Sequence, residues 1–379
     1  MLKSLALKNF TVFPSAHFEF SPGINAFIGE NSTGKTHVLK IAYALNRAWS
    51  DLMNNRSALS TDRANAYFEE RLIGLFLPGE LSNLIRREAS ECRLTAQIGA
   101  FIPTLQFKMP DEADPWPTYP YGHAVEDLLW DLAIANNGIN LKTIPEAAPV
   151  NAYVLNSIFI PSKEIVSLYD GLIGLFDRYK ISLDATYRDL ANAINSPELK
   201  NLPAWFSEVF ADLENDLDGV LKLAQTKLVF EGKRGAITET PMMAEGHRKL
   251  ALLMYLVRHD VLQRRGETLF WDEPEANLNP KLMAKLAQVL VALASKGIQI
   301  NLATHSLFLL KELDLQLHIA AATKPVPAKF FALSDDGDGV QVNAGDGLEQ
   351  IEPIVALDME INQADRYNEW LYQAAEKSG

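Results

Sequence analysis

Residues 29–36 read Gly-Glu-Asn-Ser-Thr-Gly-Lys-Thr, and no other stretch limits the fold of this chain as strongly. The octet fits G-x-x-x-x-G-K-[ST], a phosphate-binding loop. Gly29 and Gly34 permit a tight turn that brings backbone N–H groups against an anion with no Cβ in the way. Lys35 supplies a cation for the β- and γ-phosphates, and the Thr36 hydroxyl is a ligand for Mg²⁺. Before the octet, Ile24, Ala26, Phe27 and Ile28 predict a buried strand. After it, Val38, Ile41, Ala42 and Leu45 recur at i, i+3, i+4 and i+7, which predicts a helix whose positive end faces the anion. The candidate nucleotide cradle therefore runs from Gly29 through Glu30, Asn31, Ser32, Thr33, Gly34, Lys35 and Thr36 to His37.

A chain of 379 residues with 48% apolar content can bury a sizeable core, in two or three domains or in one domain with a large insertion. Its one cysteine, Cys92, excludes an internal disulfide, fits a reducing compartment and reads as an ordinary core or strand residue. The N-terminal Met-Leu-Lys-Ser-Leu-Ala-Leu-Lys lacks the apolar region and cleavage site of a signal peptide. No run approaches the roughly 18 apolar residues of a membrane span. The expected setting is the cytoplasm, with no membrane partner. A net charge of −13 disfavours a broadly DNA-coating surface and leaves room for a local basic groove.

Patterning predicts a small sheet over residues 1–30, helices over 64–76 and 79–89, and strands over 93–108. A proline-rich loop over 109–121 follows, read as a surface loop pinned by a few rings or as a partner-binding patch. Further on, a short helix is expected at 123–136, a strand at 152–160, and mainly helix over 163–226, including 183–194 and 203–225. A short strand at Leu228–Phe230 comes next. The last third alternates: helix 246–264, strand 268–271, helix 280–296, strand 298–303, helix 306–313, hairpin 328–343 and helix 361–376. No internal repeat or long heptad run is present.

Residues 268–273, Thr-Leu-Phe-Trp-Asp-Glu, form an apolar strand ending in two carboxylates. Such a strand can hold Asp272 beside Mg²⁺ and present Glu273 to an attacking water. Pro274-Glu275-Ala276-Asn277-Leu278-Asn279-Pro280 follows, and a second β-rich run ends in Thr304-His305-Ser306. A histidine at a strand end near the γ-phosphate can sense or stabilise it.

Together, the loop at 29–36, Leu-Phe-Trp-Asp-Glu-Pro-Glu-Ala-Asn-Leu-Asn-Pro and Ala-Thr-His-Ser resemble the ATP-binding-cassette ATPases of the SMC/RecF branch. Within that branch they are most similar to short ATPases related to the OLD proteins and to bacterial defence and toxin modules. The resemblance covers about 1–45, 150–166 and 240–310. It implies an α/β fold: a mixed-sheet ATPase core over 1–45, 91–162 and 227–379, with a helical insertion at 46–90 and 163–226. It also implies ATP and Mg²⁺ as cofactors. By position, Asp272 matches the Walker B aspartate that with Thr36 serves the metal, Glu273 the catalytic glutamate beside Lys35, and His305 the switch histidine. Asn277, Leu278 and Asn279 match the D-loop. Gly246, His247 and Arg248 open the helix where the signature motif belongs, and in the family that helix end meets the γ-phosphate of a second subunit. The signature serine is replaced by Ala244, the usual glutamine after the switch strand is absent with Lys163 and Glu164 in its place, and Asn279-Pro280 replaces a common His-Pro.

The resemblance implies an ATP-switched homodimer or higher homo-oligomer that gates a separate effector such as a nuclease or toxin. The alternatives are a RecF-like DNA-binding repair ATPase and an OLD-like nuclease component. Asp336-Gly337-Asp338 offers a superficial D-x-D, but too little chain follows for a nuclease domain, and the setting reads as a tight hairpin turn. A calcium loop lacks its last ligand. A transporter cassette is disfavoured by the altered signature and the long interval between Lys35 and Asp272.

Overall fold

The computed structural model describes residues 1–54, 61–99, 101–108, 129–134, 156–179 and 181–378. Strands β1 (Leu2–Phe10) and β2 (Phe13–Glu19) lead to β3 (Ile24–Gly29) and helix α1 (Lys35–Asn54). Helix α2 (Thr61–Phe76) precedes β4 (Glu91–Ile98), β5 (Phe101–Lys108), β6 (Leu129–Ile134) and β7 (Ser157–Ile160). Helices α3 (Leu172–Arg178), α4 (Ala185–Ile194) and α5 (Phe206–Leu217) are followed by β8 (Gly219–Ala224), β9 (Lys227–Gly232) and β10 (Ile237–Glu239). Then come α6 (Glu245–Arg258), β11 (Thr268–Asp272), α7 (Pro280–Ser295), β12 (Gln299–Thr304) and α8 (Leu307–Ala321). The hairpin β13 (Ala328–Asp335) and β14 (Val340–Gly345) and the helix α9 (Val355–Ser378) complete the order.

A six-stranded sheet, ordered β14-β13-β3-β12-β11-β7, forms the centre. Its strands are parallel except for β14, which closes one edge as an antiparallel hairpin partner. Alternate residues of each strand feed two separate cores, as the period of two requires. Ile24, Ala26, Ile158, Ile160, Leu269, Trp271, Ile300 and Leu302 face the helices α4 to α8. Phe27, Phe159, Phe270, Ala303 and Phe331 face α1 and the second sheet, β2-β1-β4-β5-β6, which is antiparallel. The two sheets meet through rings, with Phe27 and Phe331 stacked at 4.6 Å. They are also joined by buried polar bonds: the Gln299 amide accepts from Leu2 N–H and donates to the Leu2 and Ser21 carbonyls. The strands β10-β9-β8 form a small third sheet.

Several expectations are corrected. Residues 79–89 form no α-helix; beyond a short 3₁₀ turn at Leu81–Leu84, the segment bonds along the β1–β2 turn, with Thr11 N donating to Leu84 O and Arg86 N to Asn9 O. Within 123–136, residues 129–134 are a strand paired antiparallel with β5. The helix expected over 203–225 stops at Leu217, where Asp218 takes a left-handed φ of 55°, and the chain continues as β8. The last helix starts at Val355 rather than at 361. Residue 45 lies inside α1, and Tyr187, Leu190, Phe210 and Leu213 from the 163–226 segment share one apolar cluster with Leu250 and Leu253 of α6. The proline-rich loop 109–121 lies outside the described residues. Asp336-Gly337-Asp338 is the turn of the β13–β14 hairpin.

One buried carboxylate in this frame has a measurable consequence. Glu267, fully buried just before β11, accepts N–H bonds from Gln263 and Arg264 through Oε2. Its Oε1 is buried without a hydrogen-bond partner among the described residues. Burial pushes its pKa up to about 7, against the pull of those two N–H bonds. A raised value means that the folded chain keeps this proton longer than the unfolded one, so the burial penalty is absent below the ordinary carboxylate range and complete above pH 7. Glu267→Gln is expected to stabilise the chain by about 3 kcal/mol at pH 8 and by less than about 0.5 kcal/mol at pH 4.5. Denaturant melts at the two pH values check this; an equal effect at both would contradict it.

Candidate functional site

The site lies at the C-terminal edge of the parallel sheet, where β3, β11 and β12 end side by side, as expected for anion sites in open α/β sheets. At Gly29 an added Cβ would come within 2.3 Å of the Leu333 carbonyl. Gly34 has a φ of +83° and would drive a Cβ into the Phe13 ring at 2.7 Å. Both glycines are therefore demanded by packing as well as by the turn. Between them Glu30, Asn31 and Ser32 are exposed, with Ser32 at a φ of 67°, and the buried Thr33 hydroxyl donates to the Glu30 carbonyl at 2.9 Å. Lys35 folds back over the loop, its Nζ donating to the Gly29 and Glu30 carbonyls at 2.8 and 2.6 Å.

Thr36, the second residue of α1, donates its hydroxyl to both oxygens of Asp272, at 3.1 and 3.0 Å, across 236 residues of sequence. The structure thus brings together the two segments on which the sequence argument rested. Burial lowers the Lys35 pKa to about 8, opposed by the nearby carboxylates Asp272, Glu273, Glu275 and Glu30. Burial raises Asp272 to about 6, opposed by the bond from Thr36. His37 has a different position: its Nδ1 meets Thr11 Oγ1 at 3.1 Å and its ring packs edge-on against Phe76, so burial lowers its pKa to about 4.

Glu273 follows Asp272 with a left-handed φ of 47°, which ends β11 abruptly and turns the chain towards β12. His305 Nε2 lies 3.6 Å from Glu273 Oε1. Burial and Lys35 lower the His305 pKa, while Glu273 and Glu275 oppose them. The loop after β12 is tied down by Glu275, whose Oε1 accepts from Thr304 Oγ1, His305 N and Ser306 N. Asn279 caps α7 by accepting from Leu282 N–H at 3.0 Å, and Pro280 follows at the first turn. That cap accounts for Asn-Pro at this position.

The start of α6 differs from expectation in one respect. Gly246 is buried on the chain's own Asn277–Leu278 segment, where a Cβ would meet the Asn277 carbonyl at 2.9 Å. His247 is partly exposed, as is Glu245, and Ala244 is an exposed N-cap with no side-chain cap bond. Arg248, expected to face a second subunit, is instead turned inward. Its guanidinium pairs with Glu164 at 2.8 Å and donates to the Thr240 and Met243 carbonyls. Glu164 in turn accepts from the Ser167 hydroxyl at 2.8 Å. Lys249, 2% exposed, reaches the Glu273 carbonyl at 3.4 Å. Lys163 is exposed on a cleft of about 410 Å³ shared with Glu164, Glu245, Arg248, Glu273 and Asn277. Sequence reasoning assigned nothing to Glu275 or Lys249; the signal available for Glu275 was its place two residues after Glu273.

Among the described residues no group of three or more His, Cys, Asp or Glu gathers as a metal cluster, and no helix is long and apolar enough to cross a membrane.

Residues 24–311 match the family described as "AAA domain, putative AbiEii toxin, Type IV TA system". The DNA replication and repair protein RecF of Listeria welshimeri is 34% identical over 84 residues, which are 21% of this chain and 23% of the relative. RecF of Streptococcus uberis is 48% identical over 44 residues, 12% of each chain. These matches span under a quarter of the curated relatives' length. In fold, the chain is similar to the SMC head solved bound to the C-terminal winged-helix domain of ScpA, with a TM-score of 0.51 at 14% identity over 92% of this chain and 98% of that one. The chain belongs to this AAA-domain family, and its fold is that of the SMC head.

Proposed function

We propose that the protein is a Mg²⁺-dependent ATP-hydrolysing switch whose ATP-driven pairing with a second copy gates a separate effector, in a bacterial defence or toxin module. The observation that carries the chemical part is the Thr36–Asp272 bond beside Lys35 at one sheet edge. The loop from Gly29 to Thr36 cradles the triphosphate and Lys35 neutralises it. A hydroxyl and a carboxylate in contact are hard oxygen donors of the kind Mg²⁺ takes together with substrate phosphates, so Thr36 and Asp272 would hold the ion. When bound, it offsets the phosphate charge. Glu273 orients the attacking water, and His305 stands beside it. The family description supports the toxin or defence setting, and the buried Cys92, its thiol pKa raised by burial, suits a reducing cytoplasm. On this reading segments 46–90 and 163–226 pass nucleotide state outward from α1, to which the first is tied by Lys40 donating to the Leu75 carbonyl and the second by Lys40–Asp184 and Tyr43–Asp189.

Lys35→Ala is expected to abolish ATP binding. Glu273→Gln should retain binding and slow hydrolysis by about 100-fold or more, because an amide cannot polarise the water as a carboxylate does. Nucleotide titration and phosphate release measure the two; equal loss of binding in both variants would make Glu273 structural.

The pairing is tested at Ala244 rather than at Gly246, where any side chain strikes the chain's own D-loop. Ala244→Asp supplies the missing N-cap, worth about 1 kcal/mol, and so should raise the melting midpoint. It also puts a carboxylate where the second copy's triphosphate would dock. Light scattering of Glu273→Gln protein should show a mass that doubles with Mg-ATP, and adding Ala244→Asp should cancel the doubling without loss of stability. A mass indifferent to nucleotide would refute the switch as stated.

A second reading, a DNA-binding repair ATPase, is favoured by the RecF matches and opposed by the net charge of −13. A salt-dependent DNA titration separates the two, since phosphate contacts make affinity fall steeply with salt.

A further inference from the structure

We infer that Glu275 is a positioning residue, which sets the His305 loop against Glu273 by gathering three donors on one carboxylate oxygen. This rests on the roles proposed above for Glu273 and His305.

Three strand ends must be held in register at the reacting edge, and backbone pairing does most of that work. Glu273 N–H donates to the Ala303 carbonyl at 2.9 Å, which is the last β11–β12 link. Beyond it both chains leave the sheet: Glu273 through its left-handed turn, Thr304 to Ser306 towards the cap of α8. At that point β12 has no further ladder partner on its β11 side, while Thr304 still pairs with Ile28 of β3 on the other. The buried Thr304 hydroxyl donates to Glu275 Oε1 at 2.8 Å, His305 N–H at 2.8 Å and Ser306 N–H at 3.2 Å. Thr304 Oγ1 also accepts from Ser306 N at 2.9 Å, and Ser306 Oγ caps α8 through Leu309 N–H at 3.2 Å.

The Glu275 side chain therefore replaces the missing sheet partner with a fixed acceptor. Because the His305 backbone N–H is one of its three donors, the His305 backbone, and with it the root of the imidazole, cannot shift along the strand axis without breaking that bond. The result is the 3.6 Å approach of His305 Nε2 to Glu273 Oε1. Glu275 Oε2 is buried with no hydrogen-bond partner among the described residues, so Oε1 alone makes the contacts. This geometry separates reach from charge. A glutamine keeps an oxygen in the same place; an aspartate keeps the charge and withdraws it by one methylene.

Full-length Glu275→Gln, Glu275→Asp and Glu275→Ala, with Glu273→Gln as reference, are assayed for ATP affinity, hydrolysis rate and melting midpoint. The expected result is that Glu275→Gln stays within about threefold of the parent rate, while Glu275→Asp and Glu275→Ala lose about 10- to 100-fold in kcat with ATP affinity little changed. If the alanine variant fails to fold, the Gln and Asp pair decides. The inference is overturned if Glu275→Asp hydrolyses at the parent rate, if Glu275→Gln is as slow as Glu275→Asp, or if affinity and rate fall together. A Glu273→Gln protein that hydrolyses normally would instead overturn the reading on which this inference rests.

Discussion

The Thr36–Asp272 hydrogen bond is the contact on which the arrangement of the site depends. It joins the first turn of the helix after the phosphate loop to the end of a strand 236 residues later. It forms because β3 and β11 both flank β12 and end at the same level, the register pairing Ile28 with Thr304 and Asp272 with Ala303. Every charged group that matters is then grouped around it. Lys35, Asp272 and Glu273 share a partly desolvated space, where burial pushes the lysine down and the aspartate up, each restrained by the other's field.

That register is protected from both faces of the sheet. Since strand residues alternate between two cores, a slip of one position would carry Asn25 and Asn301 in among the aliphatic side chains of the first core and take the rings of Phe27 and Phe331 out of the second. The two asparagines are bonded to each other at 3.0 Å, and Asn25 also to the Ser21 carbonyl at 2.9 Å. Their bond belongs to the register that pairs β3 with β12. Side-chain caps complete the edge where the ladder ends: Asn279 on α7 and Ser306 on α8.

The central strands and their helices were legible because each is a buried parallel strand or an amphipathic helix, with motif residues at its end. Gly29, Gly34 and Lys35 are spaced by local chemistry, so sequence alone exposes them. The edge elements were less legible. Residues 129–134 owe their strand to pairing with β5, and 219–224 form one only because Asp218 ends α5 and the chain then pairs with β9 across the turn at 225–226; neither carries a strong local period. The inward turn of Arg248 was invisible for the same reason. Its partner Glu164 lies 84 residues away, and nothing at positions 246–248 says whether a cation there faces its own chain or another.

The central claim is that Thr36 and Asp272 jointly hold Mg²⁺ on the bound triphosphate. Calorimetric titration of ATP into the parent chain and into Thr36→Val, each with and without Mg²⁺, tests it most directly. Valine keeps the branched shape and removes the hydroxyl. The parent should bind ATP more tightly with Mg²⁺ than without it, and Thr36→Val should bind the two forms alike, with its metal-free affinity unchanged. Undiminished Mg²⁺ enhancement in Thr36→Val would contradict the account.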